Sequence, residues 1–158
     1  KEVIIMSTIR FSQVKTTQDI LDVSCLFKQH SHRDLSHIIV KECIENHPHV
    51  LAYDDDDLIG FIYTKDFAPD ILEIYNMFIH PDYRYQGIGT LMIQHMIDNI
   101  EEKYQGIIVV NSALYDNNDD FIPASPFYIR NDFDIISKTD NTTVLYCDLR
   151  GVRHGQCT

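Results

Sequence analysis

Apolar and polar residues alternate from Ile9 to Val14, the period of a β-strand. The spacing then becomes helical. Ile20, Leu21, Val23, Leu26 and Phe27 predict the buried side of a helix from Gln18 to about His30, with Thr17 as its cap. His30 to Leu35 is polar and reads as a loop. Ser36 caps a second predicted helix through Glu45, and Pro48 lies just past its end. His49–Tyr53 and Leu58–Lys65 read as strands joined by a turn at Asp54–Asp57, where Asp is favoured. Ile71–His80 is a longer strand. After Pro81-Asp82-Tyr83 the pattern turns helical again: Ile88, Leu91, Met92, His95, Met96 and Ile100 keep helical spacing up to about Tyr104, and Gly106 ends that helix. Ile107–Asn111 is a short apolar run, read as a buried strand. Leu114–Pro123 is a loop rich in Asp and Asn, and Phe127–Asn131 is a helical turn. Phe133–Ser137 and Thr143–Leu149 form a hairpin around Thr139-Asp140-Asn141. The predicted order is β-α-α-β-β-β-α-β-α-β-β, a mixed sheet with helices on its faces.

Composition narrows this picture. The 158 residues suit one domain, and 44% hydrophobic residues supply a core without any Trp. Residues 1–6 are read as an N-terminal extension with Met6 a candidate initiator, 7–150 as the single domain, and 151–158 as a flexible tail. The net charge of -11 argues against a nucleic-acid binder, which normally shows a basic face, and suits either a cationic partner or solubility alone. Cys25, Cys43, Cys147 and Cys157 form no C-x-x-C pair, so reduced thiols and a cytoplasmic location are expected. Lys1–Met6 holds no long apolar region, so no signal peptide is expected, and no stretch approaches the roughly 20 apolar residues of a membrane span.

The strongest chemical signal is Arg84-Tyr85-Gln86-Gly87-Ile88-Gly89, placed between a strand and a helix. Backbone N–H groups at a helix N-terminus bind anions, and glycine lets a phosphate come close. A Walker A loop needs Gly-Lys-Ser/Thr, which does not occur. A dinucleotide fingerprint needs a third glycine where Met92 stands. The remaining form, R-x-x-G-x-G, resembles the acetyl-CoA turn of the GNAT superfamily of N-acetyltransferases. Phe78-Ile79-His80-Pro81-Asp82-Tyr83 leads into the turn as GNAT sequences commonly do. Ala124-Ser125-Pro126-Phe127-Tyr128, followed by Asn131-Asp132-Phe133, resembles the family's second motif. Asp132 stands where the family usually has Gly; Asp tolerates the left-handed backbone needed to end the helix.

The resemblance implies an α/β (α+β) GNAT fold: a mixed, mostly antiparallel sheet of six to seven strands flanked by about four helices. It implies an N-acetyltransferase moving an acetyl group from acetyl-CoA, as cosubstrate, to an amine. Arg84, Tyr85, Gln86, Gly87, Ile88, Gly89 and Thr90 would bind the coenzyme, with Arg84 and the amides from Gln86 to Thr90 holding the pyrophosphate. The backbone of Met77, Phe78 and Ile79 would pair with the pantetheine arm and stabilise the oxyanion, and Asn111 would lie near the reacting end. An alkylamine of pKa about 10.4 is neutral in only on the order of one molecule in a thousand at pH 7, so a base is needed. Glu73 is carried over as that base; a solvated glutamate at a strand start is the alternative. Tyr128 is carried over as the acid for the leaving thiolate; a packed aromatic is the alternative.

Other signals are weaker. His30-Ser31-His32 and His47-Pro48-His49 give only two ligands each, and Asp116–Asp120 lacks the glycine and final glutamate of a calcium loop, so no metal is expected. The acidic balance points to a small cationic acceptor such as a polyamine or aminosugar. Acetylation of a protein lysine or N-terminus is the alternative, and a non-catalytic acyl-CoA-binding regulator is the alternative of another class. The expected partners are acetyl-CoA and an amine, without nucleic acid or membrane; a homodimer stays open.

Overall fold

Thr16, one residue before the expected cap, starts the first helix. Its side chain accepts from the Asp19 amide, and the Asp19 carboxylate accepts from the Thr16 amide in return, a capping box that fixes helix α1 at Thr17–Ser31. The computed structural model describes residues 8–112 and 124–153. The elements run β1 (Ile9–Ser12), α1, α2 (His37–Asn46), β2 (His49–Asp54), β3 (Asp57–Ala68), β4 (Ile71–Ile79), a 3-10 turn at Pro81–Tyr83, α3 (Ile88–Asn99), β5 (Gly106–Ser112), α4 (Ser125–Arg130), β6 (Asp134–Lys138), β7 (Thr142–Asp148) and α5 (Leu149–Arg153). The seven strands follow the order β1-β2-β3-β4-β5-β7-β6. The pairs β1/β2, β2/β3, β5/β7 and β6/β7 are antiparallel, and β4/β5 is parallel. The expected mixed, mostly antiparallel sheet is therefore present.

Two further boundaries differ from expectation. Helix α3 ends at Asn99 and not near Tyr104: Ile100 is already extended at φ -82 and ψ 156, and the Asn99 side chain turns back to the His95 carbonyl. Tyr104 instead sends its hydroxyl to Asp66 at 2.5 Å. The tail expected from residue 151 begins inside α5, an element the apolar pattern gave no room for. The expected extension at 1–6, most of the loop 114–123, and residues 154–158 lie outside the described residues. No described helix is long and apolar enough to cross a membrane.

The chain packs as two units. The first takes the described residues up to Lys65 together with Asn76–Ile100. Its core on one side of the strands is aromatic: Phe61 stacks on Tyr63 and meets Phe27 and Phe78, under Val23 of α1 and Val40 of α2. On the other side Met92 of α3 packs over Gly60. The second unit takes Asp66–Tyr75 with the described residues from Glu101. Its parallel ladder joins Ile71–Glu73 to Gly106–Ile108, and β7 covers β5 along its full length. Leu72, Ile107, Phe133, Leu145 and Leu149 are its most buried side chains.

Gly60 sets how closely β4 and α3 approach β3. A Cβ there would lie 3.1 Å from the Phe78 carbonyl oxygen and 3.4 Å from Met92 Sδ. A backbone oxygen cannot swing away, so Gly60→Ala should cost roughly 1–3 kcal/mol by overpacking. Chemical denaturation checks this; an unchanged midpoint would show that β4 shifts without penalty.

Candidate active site

In the first unit, β4 ends into a turn whose backbone is held at several points. The His80 amide donates to the Ile59 carbonyl at 2.7 Å, and His80 Nδ1 accepts from the Asp82 amide, which fixes the neutral ring as an Nε2–H tautomer. Tyr83 donates to Asp54 at 2.5 Å. Arg84 Nε donates to the Ile79 carbonyl at 2.8 Å, and its guanidinium lies 5.1 Å over the Phe78 ring. The Gln86 amide side chain closes back on the Asp82 carbonyl.

Gly87 then opens α3 in the left-handed region, φ 83, with nothing within 4 Å of the place a Cβ would take. No side chain caps the helix. The first-turn amides of any α-helix lack intrahelical acceptors, and among the described residues no Ser, Thr, Asp or Asn side chain caps this one. Among the expected coenzyme residues, Tyr85, Gln86, Gly87 and Thr90 are exposed, whereas Ile88 and Gly89 are buried and offer only backbone. Phe78 packs into the aromatic core and Ile79 lies against Gly60 on the α3 side, so Met77–Ile79 also offers backbone.

His30, at the end of α1, belongs to this region, which sequence spacing did not reveal. Its ring meets His80 edge-on at 4.3 Å and stacks near Phe78. Burial, and then the neighbouring His80 and Arg84, lower its pKa, and its Nε2 has no hydrogen-bond partner. His49 has a backbone role: Nε2 accepts from the Val14 amide, with Nδ1 3.1 Å from the His47 carbonyl.

In the second unit, Glu73 is half-buried at the last rung of the parallel ladder, opposite Ile108. Met77–Ile79 lie beyond that ladder. Asn111, near the end of β5, donates to Ser125 Oγ at 3.4 Å. It lines a cleft of about 400 Å³ together with Ser125, Pro126, Ile129, Ile135 and Thr143. Tyr128 does not line this cleft. It is 6% exposed, held edge-on between Phe127 and Phe133. The helix end places it there. Asp132 is left-handed at φ 69, its amide donates to the Ile129 carbonyl, and the Phe133 amide donates to the Tyr128 carbonyl. These two bonds and the Tyr128–Phe133 contact make a Schellman motif.

A family model described as the acetyltransferase (GNAT) domain matches residues 45–135, more than half of the chain. The chain belongs to the GNAT acetyltransferase family. Solved structures share the fold of this GNAT domain at low identity. The ribosomal-protein-S18-alanine N-acetyltransferase of Escherichia coli superposes with a TM-score of 0.70 at 17% identity, over 89% of this chain and 94% of that one. Arabidopsis thaliana Naa50, bound to a bisubstrate analogue of coenzyme A and a peptide, gives 0.68 at 18%, over 88% and 97%. Arabidopsis thaliana NAA60 with acetyl-CoA gives 0.69 at 15%, over 89% and 99%. No curated protein sequence matches the chain. The family match spans the turn, Glu73 and Tyr128, and ends just past the Schellman motif.

Burial raises the Tyr128 phenol above its ordinary pKa of about 10, so the GNAT domain holds it neutral across the physiological range. Four other tyrosines are raised as well: Tyr53 to about 12 by burial and Asp19, Tyr83 to about 12 by the Asp54 hydrogen bond and burial, and Tyr104 and Tyr146 first by burial. Below pH about 10 these phenols are protonated in both folded and unfolded chains, and their contribution to stability is complete. Above it the unfolded chain loses protons first, so stability falls as the pH climbs toward the folded values. Denaturant midpoints should hold up to about pH 10 and then drop. Tyr128→Phe should flatten part of that drop; equal curves would show that Tyr128 ionises as readily as an exposed phenol.

Proposed function

We propose that this GNAT acetyltransferase binds acetyl-CoA at the α3 turn and transfers the acetyl group to a primary amine. The uncapped start of α3 carries the reading. Amides without acceptors, a left-handed glycine with open space above it, and an arginine pinned through one nitrogen make an anion cradle that needs no net positive charge. Arg84 and the amides from Gln86 to Thr90 take the pyrophosphate, and the backbone of Met77–Ile79 takes the pantetheine arm as an added strand.

In the reaction the amine nitrogen bonds to the thioester carbonyl carbon and the carbon–sulfur bond breaks. The amine gives up a proton, and the sulfur leaves as a thiolate that then takes a proton from solvent. Glu73 removes the first proton, directly or through a water. Tyr128, neutral through burial, donates a hydrogen bond to the departing sulfur. Its raised pKa makes it a weak acid beside a thiol of about 8.5, so it stabilises the developing thiolate and does not fully protonate it.

The net charge of -11 favours a small cationic acceptor such as a polyamine or aminosugar. The Asp54–Asp57 turn adds little to that case, because Asp54 is held by Thr8 and Tyr83 on the coenzyme-turn side. A second reading is a protein or peptide N-terminus. It is favoured by the fold shared with the S18-alanine enzyme and with peptide-bound Naa50. An α-amine of pKa about 8 is already one-tenth neutral at pH 7 and asks less of a base than an alkylamine does. Thiol release with spermidine against a free-N-terminus peptide separates the two. Release with neither, despite coenzyme binding, would mark a non-catalytic acyl-CoA-binding protein.

Two measurements test the reading. Acetyl-CoA should bind the wild type in calorimetry, and Gly87→Asp should abolish binding by placing a carboxylate in the anion site; equal affinities would remove the turn from the coenzyme site. Glu73→Gln keeps the shape and loses the base, so kcat/KM should fall roughly 100-fold near pH 7 and partly recover at high pH, where the amine arrives neutral. A loss confined to KM that shrinks with added salt would make Glu73 an electrostatic anchor.

A further inference from the structure

Tyr85 combines two features that the fold does not need. Its backbone sits in the left-handed region, φ 62, where a side chain with a Cβ is disfavoured and glycine is at ease. Its ring is 83% exposed, the most exposed large apolar side chain among the described residues. Among those residues it has no hydrogen bond, aromatic neighbour or cation of its own. The other aromatics around the turn are occupied: Tyr83 is tied to Asp54, and Phe78 is packed among Phe27, Phe61 and the Arg84 guanidinium. An exposed ring on an unfavourable backbone adds nothing to packing, so its use is sought in what the turn binds.

The geometry of the ligand supplies the use. A coenzyme A pyrophosphate on the amides that follow Gly87 has two arms. On the proposed reading the pantetheine arm runs along β4. The nucleoside arm leaves from the other end of the pyrophosphate, with its base one ribose from the phosphate. We propose that the Tyr85 ring is the stacking platform for the adenine of the coenzyme. This rests on the acetyl-CoA reading of the turn. It makes Tyr85 a residue that distinguishes the full nucleotide coenzyme from shorter pantetheine thioesters. A base is well matched to this ring: stacking needs only a π-face, tolerates side-chain rotation, and excludes water from both apolar faces.

The test compares acetyl-CoA with acetyl-4′-phosphopantetheine, which keeps the thioester arm and a phosphate but lacks adenosine. Tyr85→Asn tolerates the left-handed backbone and removes the ring. It should weaken acetyl-CoA binding by roughly 5- to 100-fold, the range for loss of one base–aromatic stack, and leave acetyl-4′-phosphopantetheine unchanged. Tyr85→Phe should bind both ligands as the wild type does. Tyr85→Gly should not lower the melting temperature, which separates loss of the platform from loss of the turn. Because the chain has no tryptophan, Tyr85→Trp introduces a single one, and its emission should be quenched by acetyl-CoA and not by acetyl-4′-phosphopantetheine. Unchanged acetyl-CoA affinity in Tyr85→Asn, or equal loss for both ligands, would overturn the adenine assignment while leaving the coenzyme site in place. Failure of the wild type to bind acetyl-CoA would instead overturn the site itself.

Discussion

Helix α3 begins with amides that no side chain among the described residues caps, and much of the surrounding structure answers that constraint. An uncapped helix start is a cost in an apoprotein and an asset to an anion. Keeping it open requires a chain reversal between β4 and α3 that does not cap the helix. The 3-10 turn at Pro81–Tyr83 begins the reversal, with His80 accepting from the Asp82 amide. The Tyr83–Asp54 bond ties the turn to the end of β2. Left-handed Tyr85 and Gly87 complete it. Gly60 extends the same logic one layer down, since only a missing side chain lets Phe78 and Met92 come that near β3.

The parts of this arrangement that were legible in the sequence are those set by short-range chemistry. Gly87 and Gly89 at fixed offsets from Arg84 announce the turn, and apolar stretches bounded by turn residues announce β2 to β5. The Asp132 departure was readable too, because the left-handed tolerance of Asp is a local property, and φ 69 there completes the Schellman motif. Boundaries decided by tertiary partners were not readable. Tyr104 keeps helical spacing with α3, yet its hydroxyl goes to Asp66, 38 positions away. Thr16 and Thr17 are equal candidates as caps by residue type; reciprocity with Asp19 selects Thr16. The His30–His80 contact joins side chains 50 positions apart that no periodicity links.

Tyr128 is a packing element, and the proposed reaction gives it a chemical role as well. Its two edge-on neighbours and the Schellman bonds fix its main chain and ring, which is what a proton donor needs in order to act without reorganisation. The same burial raises its pKa. A donor made rigid by an apolar surround is therefore made weaker as an acid, and in the proposed role its value moves from full proton transfer toward a fixed dipole beside the leaving sulfur.

The acidity of the chain raises the last question of balance. A net charge of -11 repels a polyphosphate at long range. That repulsion is spread over the surface and is screened beyond about 8 Å at physiological salt, whereas helix amides act at hydrogen-bond distance. Asp54, the acidic residue tied to the turn, has its carboxylate engaged by two hydroxyl donors, Thr8 and Tyr83, which lower its pKa and spread its charge into hydrogen bonds. In the proposed site, affinity for an anion is thus decided by a few oriented dipoles and Arg84, while the global charge is left to act on approach. On the proposed reading, a chain built this way slows the encounter with the coenzyme, more so at low salt, without disturbing the hydrogen bonds that would hold it.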